Sequence, residues 1–298
     1  MKERLKVMSG KYCKILLFLL FFLPSPLSAN GYLVLDTGYR YDRINSNVEY
    51  VTKPNRTPYF SDENNFQNIQ SYQLGAKGAW QIPCTCVIVK GEAHYSWILH
   101  GTYNEQYLAF GDLGGNYFID ASGGIGYSIP LCNCLHFIPY IGGSYDRANM
   151  RITNANNPFG EIPDHQGDRW WYSWYGPWVG FDLEFEGFCS STFTAGYEFH
   201  YGWAYEKTVP NNPSPMVFAY HADYSNVSGN TFHLQWLQTI CANWLWGLKV
   251  EYGVWSNHHK ENAIPDVPPT GFTPGMIQKQ AGFTWQSFSA TANLGFCF

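Results

Sequence analysis

The chain has 298 residues, 18% of them aromatic and only 14% charged, with a formal net charge of −5 and eight cysteines. Ordinary globular domains carry about 25% charged residues, so a great deal of aromatic surface must be kept from water. The mild acidity excludes a nucleic-acid partner held by a basic patch, and no glycine-rich phosphate loop points to a nucleotide.

Residues 1–29 read as a signal peptide. Lys2, Arg4, Lys6, Lys11 and Lys14 precede the apolar run ILLFLLFFL, followed by Pro24, Pro26 and the small pair Ser28-Ala29. The run is shorter than the roughly 20 residues of a transmembrane helix and proline breaks it. Export with the mature chain starting near Asn30 is therefore expected, leaving 30–298 as one domain.

From there on, apolar residues recur at every second position and no helical period competes. Ten strands are expected, over residues 32–44, 70–82, 86–100, 116–130, 135–152, 169–185, 191–207, 231–241, 244–257 and 277–298. The connections PCTC, LCNC, EGFCSS and CANW are tight, whereas 45–69, 101–115, 153–168, 208–230 and 258–276 are long and rich in Asn, Pro and Gly. Tight turns at one end and long loops at the other predict an all-β fold, a ten-stranded antiparallel transmembrane β-barrel with short periplasmic turns and long extracellular loops. An even strand number puts both termini on the side of the turns.

The face pattern separates this barrel from a soluble sandwich. In the last strand Phe288, Ala290, Ala292, Leu294, Phe296 and Phe298 share one face, opposite Ser287, Ser289, Thr291, Asn293, Gly295 and Cys297. Other strands set charges against a strongly aromatic face: Lys90, Glu92 and His94 in the third, Glu198 and His200 in the seventh, Lys249 and Glu251 in the ninth. Asp36, Arg40, Asp42, Lys77, Asp120, Asp182 and Glu184 lie on the less apolar face too. In a membrane barrel these residues line the lumen, and both signs are present, as mutual neutralisation away from water requires. They either border a solute path or form a packed network, since ten strands make a barrel little wider than the eight-strand type whose interior fills.

Cys13 lies in the leader. Cys84, Cys86, Cys132, Cys134, Cys189, Cys241 and Cys297 fall in the tight turns or at the end of the last strand, hence at the periplasmic rim. That compartment is oxidising, and an odd set leaves at least one thiol free or joined to another molecule. Cys241 and Cys297 are expected on neighbouring strand ends, near the Cα separation of about 4.4–6.8 Å that a disulfide needs. Disulfides within the chain, links to periplasmic or envelope proteins and zinc at the two Cys-x-Cys pairs stay open, although structural zinc sites usually space such pairs by two to four residues. His165 and His258-His259 show no recurring ligand spacing, so neither metal nor cofactor is expected.

The terminal strand ending in Phe298 resembles the C-terminal signal by which bacterial outer-membrane β-barrels are recognised for insertion. That resemblance implies an outer-membrane location, surrounding lipid, and the barrel-insertion machinery as a partner. Between Trp174 and Trp203, YGPWVGFDLEFEGF and FTAGYEFHYGWAYE are similar to the sixth and seventh strands of omptins, the ten-strand outer-membrane proteases. Omptin catalysis uses two close aspartates on the second outer loop and an Asp-x-His pair on the fourth. Here the second loop offers Glu105 and a distant Asp112, and the fourth offers His221 and Asp223 in reversed order. The rim cysteines resemble those of cysteine-bearing outer-membrane proteins of chlamydia-like bacteria, which implies disulfide cross-linking. The expectation is a non-enzymatic barrel, either a narrow porin-like channel or a cross-linked structural envelope protein. The alternatives are an omptin-like endopeptidase with His221 and Asp223 as its candidates, and a surface adhesin.

Overall fold

The computed structural model describes residues 31–52, 57–105, 109–156, 166–187, 190–211, 220–241, 243–257, 261–265 and 277–298. The expected signal peptide lies outside the described residues. Among the described residues thirteen strand segments follow one another: β1 (Gly31–Thr52), β2 (Thr57–Gln81), β3 (Val87–Glu105), β4 (Ala109–Leu113), β5 (Tyr117–Tyr127), β6 (Ile129–Cys132) and β7 (Leu135–Asn156). Then come β8 (Arg169–Glu186), β9 (Ser191–Val209), β10 (Tyr220–Cys241), β11 (Trp244–Asn257), β12 (Glu261–Pro265) and β13 (Ile277–Cys297).

Every pairing is antiparallel, and β13 returns to β1 in an unbroken register from Tyr32↔Cys297 to Thr52↔Ile277, which closes the sheet into a barrel. Segments β4, β5 and β6 succeed one another alongside β7, and β4 and β5 face β3 on their other side. Segment β12 takes over from β11 between β10 and β13. The thirteen segments thus fill ten positions around the ring. One expected strand, 116–130, is interrupted at Ser128 between β5 and β6, and the stretch 101–115 that reads as loop carries β4 ahead of Gly114-Gly115. Gly115 has φ +71°, a backbone conformation that only glycine reaches without steric cost.

Three of the expected long loops, 45–69, 101–115 and 208–230, carry strand over much of their length, while 157–165 and 266–276 lie outside the described residues. β1 and β2 stay paired from Asn45↔Asn65 to Thr52↔Thr57, inside a stretch that reads as loop. A tilted strand crosses a bilayer in about 9–11 residues, yet β2 has 25. More than half of it therefore stands beyond the membrane. There the outward face no longer meets lipid, so polar Arg43, Asn47 and Asn68 occupy exposed outward positions. The alternation that marks a strand fades while its hydrogen-bond ladder continues.

Within the membrane band the two faces differ sharply. Leu99 and Ile141 point outward with 66% and 64% exposure, whereas Val34 and Asp36 on the other face have 0% and 1%. Aromatic contacts border the band at both levels. Tyr72 stacks on Trp97 and Tyr175 on Trp203 at the outer level, and Trp236 meets Phe193 and Trp246 nearer the turns. Such girdles are what a lipid-facing barrel requires.

Candidate functional site

The lumen divides into two halves, each assembled from alternate residues of strands far apart in sequence. In the half nearer the turns, β3 directs Lys90, Glu92 and His94 inward. Lys90 Nζ lies 3.3 Å from Asp182 on β8 and 3.1 Å from Glu198 on β9, and 4.1 Å from the centre of the Tyr140 ring. Lys249 Nζ on β11 lies 2.7 Å from both Glu92 and Glu251. His94 meets Asp36 at 3.1 Å, His200 meets Glu198 at 3.3 Å, and His233 meets Asp182 at 3.3 Å. Further out, Arg40 binds Asp42 and Asp120, and the Trp285 indole donates to Asp42. The seven lumen residues expected from the sequence are therefore brought into one belt of ion pairs. Each cation bridges two carboxylates, which offsets the cost of taking them from water. Lys77 differs: its Nζ is buried in the wall without a hydrogen-bond partner among the described residues.

Below this belt a cavity of about 590 Å³ opens toward the turns, bordered by Lys77, Lys90, Glu92, Asp182, Glu198 and Lys249 among others. Above it side chains crowd the lumen. A contiguous apolar cluster draws residues from every position in the ring, including Ile44, Phe66, Tyr103, Phe118, Met150, Trp170, Trp174, Tyr224, Trp255 and Trp285. At its centre the Glu206 carboxylate is fully buried and accepts hydrogen bonds from Tyr224 at 2.6 Å, Tyr172 at 3.0 Å and Ser46 at 3.2 Å. Sequence reasoning missed this cluster because Ser46, Phe66, Tyr103 and Tyr224 fall in stretches that read as loops. It missed His233 as well, although Thr231 and Gln235 on the same face carried the alternation that places it.

The candidate catalytic residues are not brought together. Asp223 is exposed on β10 while the next residue, Tyr224, points inward. His221 shares the outward side, where its ring stacks on Tyr205. Glu105 is buried on β3, and Asp112 on β4 accepts from Asn154 at 3.0 Å. Strands β7, β8 and β9 separate β4 from β10.

The five described cysteine side chains lie at one end of the barrel. Cys84 and Cys86 flank Thr85 in the β2–β3 turn, Cys132 and Cys134 flank Asn133 in the β6–β7 turn, and Cys297 ends β13 beside the cavity mouth. Cys84, Cys86, Cys132, Cys134 and Cys297 are free thiols. The expectation that Cys241 and Cys297 end neighbouring strands is corrected. Trp244 of β11 pairs with Cys241 on one side and with Phe296 on the other, so a whole strand lies between the two cysteines. Cys189, the Cys241 side chain, His165, His258 and His259 lie outside what the structure describes. Phe298 pairs with Gly31 through reciprocal backbone hydrogen bonds of 2.9 and 3.0 Å, and its ring meets that of Phe296.

Residues 34–298 match the family model described as Pom, Protochlamydia outer membrane protein. No curated protein sequence matches the chain. Among solved structures, the outer membrane protease OmpT from Escherichia coli is similar with a TM-score of 0.69 at 10% identity, covering 93% of this chain and 99% of that one. The translocator domain of the autotransporter NalP from Neisseria meningitidis matches over 95% of both chains at 8% identity, with a TM-score of 0.39. At these identities the OmpT likeness is one of fold, that of an outer-membrane β-barrel.

Proposed function

The chain belongs to the Protochlamydia outer membrane protein family, and from that premise we propose that this bacterial outer-membrane β-barrel is a narrow, porin-like channel whose aromatic outer half forms the constriction. The observation that carries the reading is the polar cavity of about 590 Å³. The outer half fills its lumen with Trp, Tyr and Phe, so the same wall is able to exclude water by packing. A purely structural barrel gains nothing from stopping that packing halfway and exposing a belt of charges to an open vestibule. Entry from the turn side, the periplasmic side in barrels of this kind, leads solutes along the ion pairs to the constriction. Export by residues 1–29 and insertion through the strand ending at Phe298 complete the proposal.

Planar-bilayer recording of the refolded protein tests it. Small stepwise conductance is expected, rising when Tyr103 and Trp170 are both changed to alanine. Silence from both the native chain and the widened variant overturns the channel reading.

A second reading, a structural envelope protein tied by cysteines, is favoured by one separate observation: Cys84 and Cys132 are exposed at the same end. Gels run with and without reductant on native outer membranes test it, and an unshifted monomer band under both conditions sinks it.

A further inference from the structure

Of the two Cys-x-Cys turns at the rim, only one brings its sulfurs into contact among the described residues. β6 and β7 form a hairpin in which Cys132 pairs with Leu135 across Asn133 and Cys134. The chain reverses within two residues, so the side chains two apart converge, and Cys132 Sγ lies 3.6 Å from Cys134 Sγ. Cys132 is exposed to solvent while Cys134 is half-buried. The backbone N–H of Cys134, then the hydrogen bond shared between the two sulfurs and the backbone N–H of Leu135, hold the Cys132 thiol below its ordinary range. The same shared hydrogen bond pushes Cys134 up. In the other turn the Cys86 sulfur is engaged by the Tyr127 hydroxyl instead.

A thiolate stabilised by backbone donors, exposed to partners and backed by a second thiol is what thiol–disulfide exchange needs. We infer that Cys132-Asn133-Cys134 is a thiol–disulfide exchange site that acts on disulfides and dithiols of periplasmic proteins or small thiols. The Cys132 thiolate attacks one sulfur of the partner's disulfide. A Cys132–partner S–S bond forms, the partner's own S–S bond breaks, and the electron pair leaves on its second sulfur, which takes up a proton. Cys134, after losing its proton to water, attacks the Cys132 sulfur. The Cys132–Cys134 bond closes and the partner's first sulfur departs as a thiolate. Two protein thiols are oxidised and one disulfide is reduced; run backwards, the same steps oxidise a partner dithiol. This assigns the turn a chemistry, where a permanent cross-link would only hold it in place, and it stands independently of the channel.

The test uses the full chain, refolded, with Cys13, Cys84, Cys86, Cys189, Cys241 and Cys297 changed to serine so that the pair is kept, and oxidised glutathione as the probe. The expected result is loss of both thiols with no glutathione retained. Adding C134S to that background should trap one glutathione on Cys132, seen by mass spectrometry. A chain keeping only Cys84 and Cys86 is the comparison, and its reaction should be at least several-fold slower near neutral pH. The advantage of Cys132 should shrink as pH rises past the ordinary thiol range of about 8.5, where both pairs ionise. Retention of glutathione by the intact Cys132–Cys134 pair, or equal rates for the two pairs across pH, overturns the inference. Neither outcome bears on conductance.

Discussion

Lys249 holds Glu92 and Glu251 together at 2.7 Å each, so its replacement leaves two carboxylates facing one another inside the wall. Breaking a buried ion pair by removing one partner costs about 3–5 kcal/mol. Because Glu92 and Glu251 keep 27% of their side-chain exposure, K249M is predicted to lose about 3 kcal/mol, the lower end of that range. K249R should lose far less, and the denaturant midpoint of the refolded barrel measures both. Alternation along β3, β9 and β11 already places these side chains inward, since period 2 alone decides the face. Which charges meet was not legible. Lys90 and Glu198 are 108 positions apart, and their meeting depends on a ring closing through strands that neither belongs to.

At the scale of the strands, close approach of neighbouring backbones is enforced by glycine at particular crossings. A Cβ on Gly247 would overlap the Trp236 carbonyl oxygen on β10, whereas one on Gly91 meets nothing nearer than the Ser122 carbonyl oxygen at 3.6 Å. G247A is therefore predicted to reduce the yield of folded barrel, read as loss of the compact band on unheated gels, while G91A folds normally. Gly124 acts on the lumen side, where a Cβ would sit 2.7 Å from the Trp178 ring; G124A should move this indole and alter its fluorescence. Strand lengths were the least legible property. Polar stretches such as 45–69 resemble loops because lipid, and not the hydrogen-bond ladder, supplies the apolar alternation.

For the whole molecule, the proposed channel makes the vestibule the part that sets the sign of the ions admitted. Glu92, Asp182, Glu184, Glu186 and Glu198 line it against Lys77, Lys90 and Lys249. Five carboxylates against three ammonium groups predict weak cation preference, measured as a reversal potential across a salt gradient. K77A should deepen that preference. Zero or anion-directed reversal potential for the native chain would contradict the charge count. The preference should weaken at high ionic strength, where the Debye length shrinks to about 3 Å at 1 M.

The amino-acid sequence by itself determined the wall. Alternation, tight cysteine-bearing turns and an aromatic outward face are local properties, each imposed by contact with lipid or by the reversal of a single hairpin. They mark an outer-membrane barrel and set its turn-side rim, and they indicate which side chains look inward. Only the tertiary structure decided how far the lumen is filled. Inward direction says nothing about which side chains meet; the rings of Trp170 and of Tyr103, which falls in a stretch that reads as loop, lie 6.2 Å apart because closure turns β3 and β8 toward one lumen. Closure likewise set Cys132 and Cys134 at the same rim as the vestibule mouth.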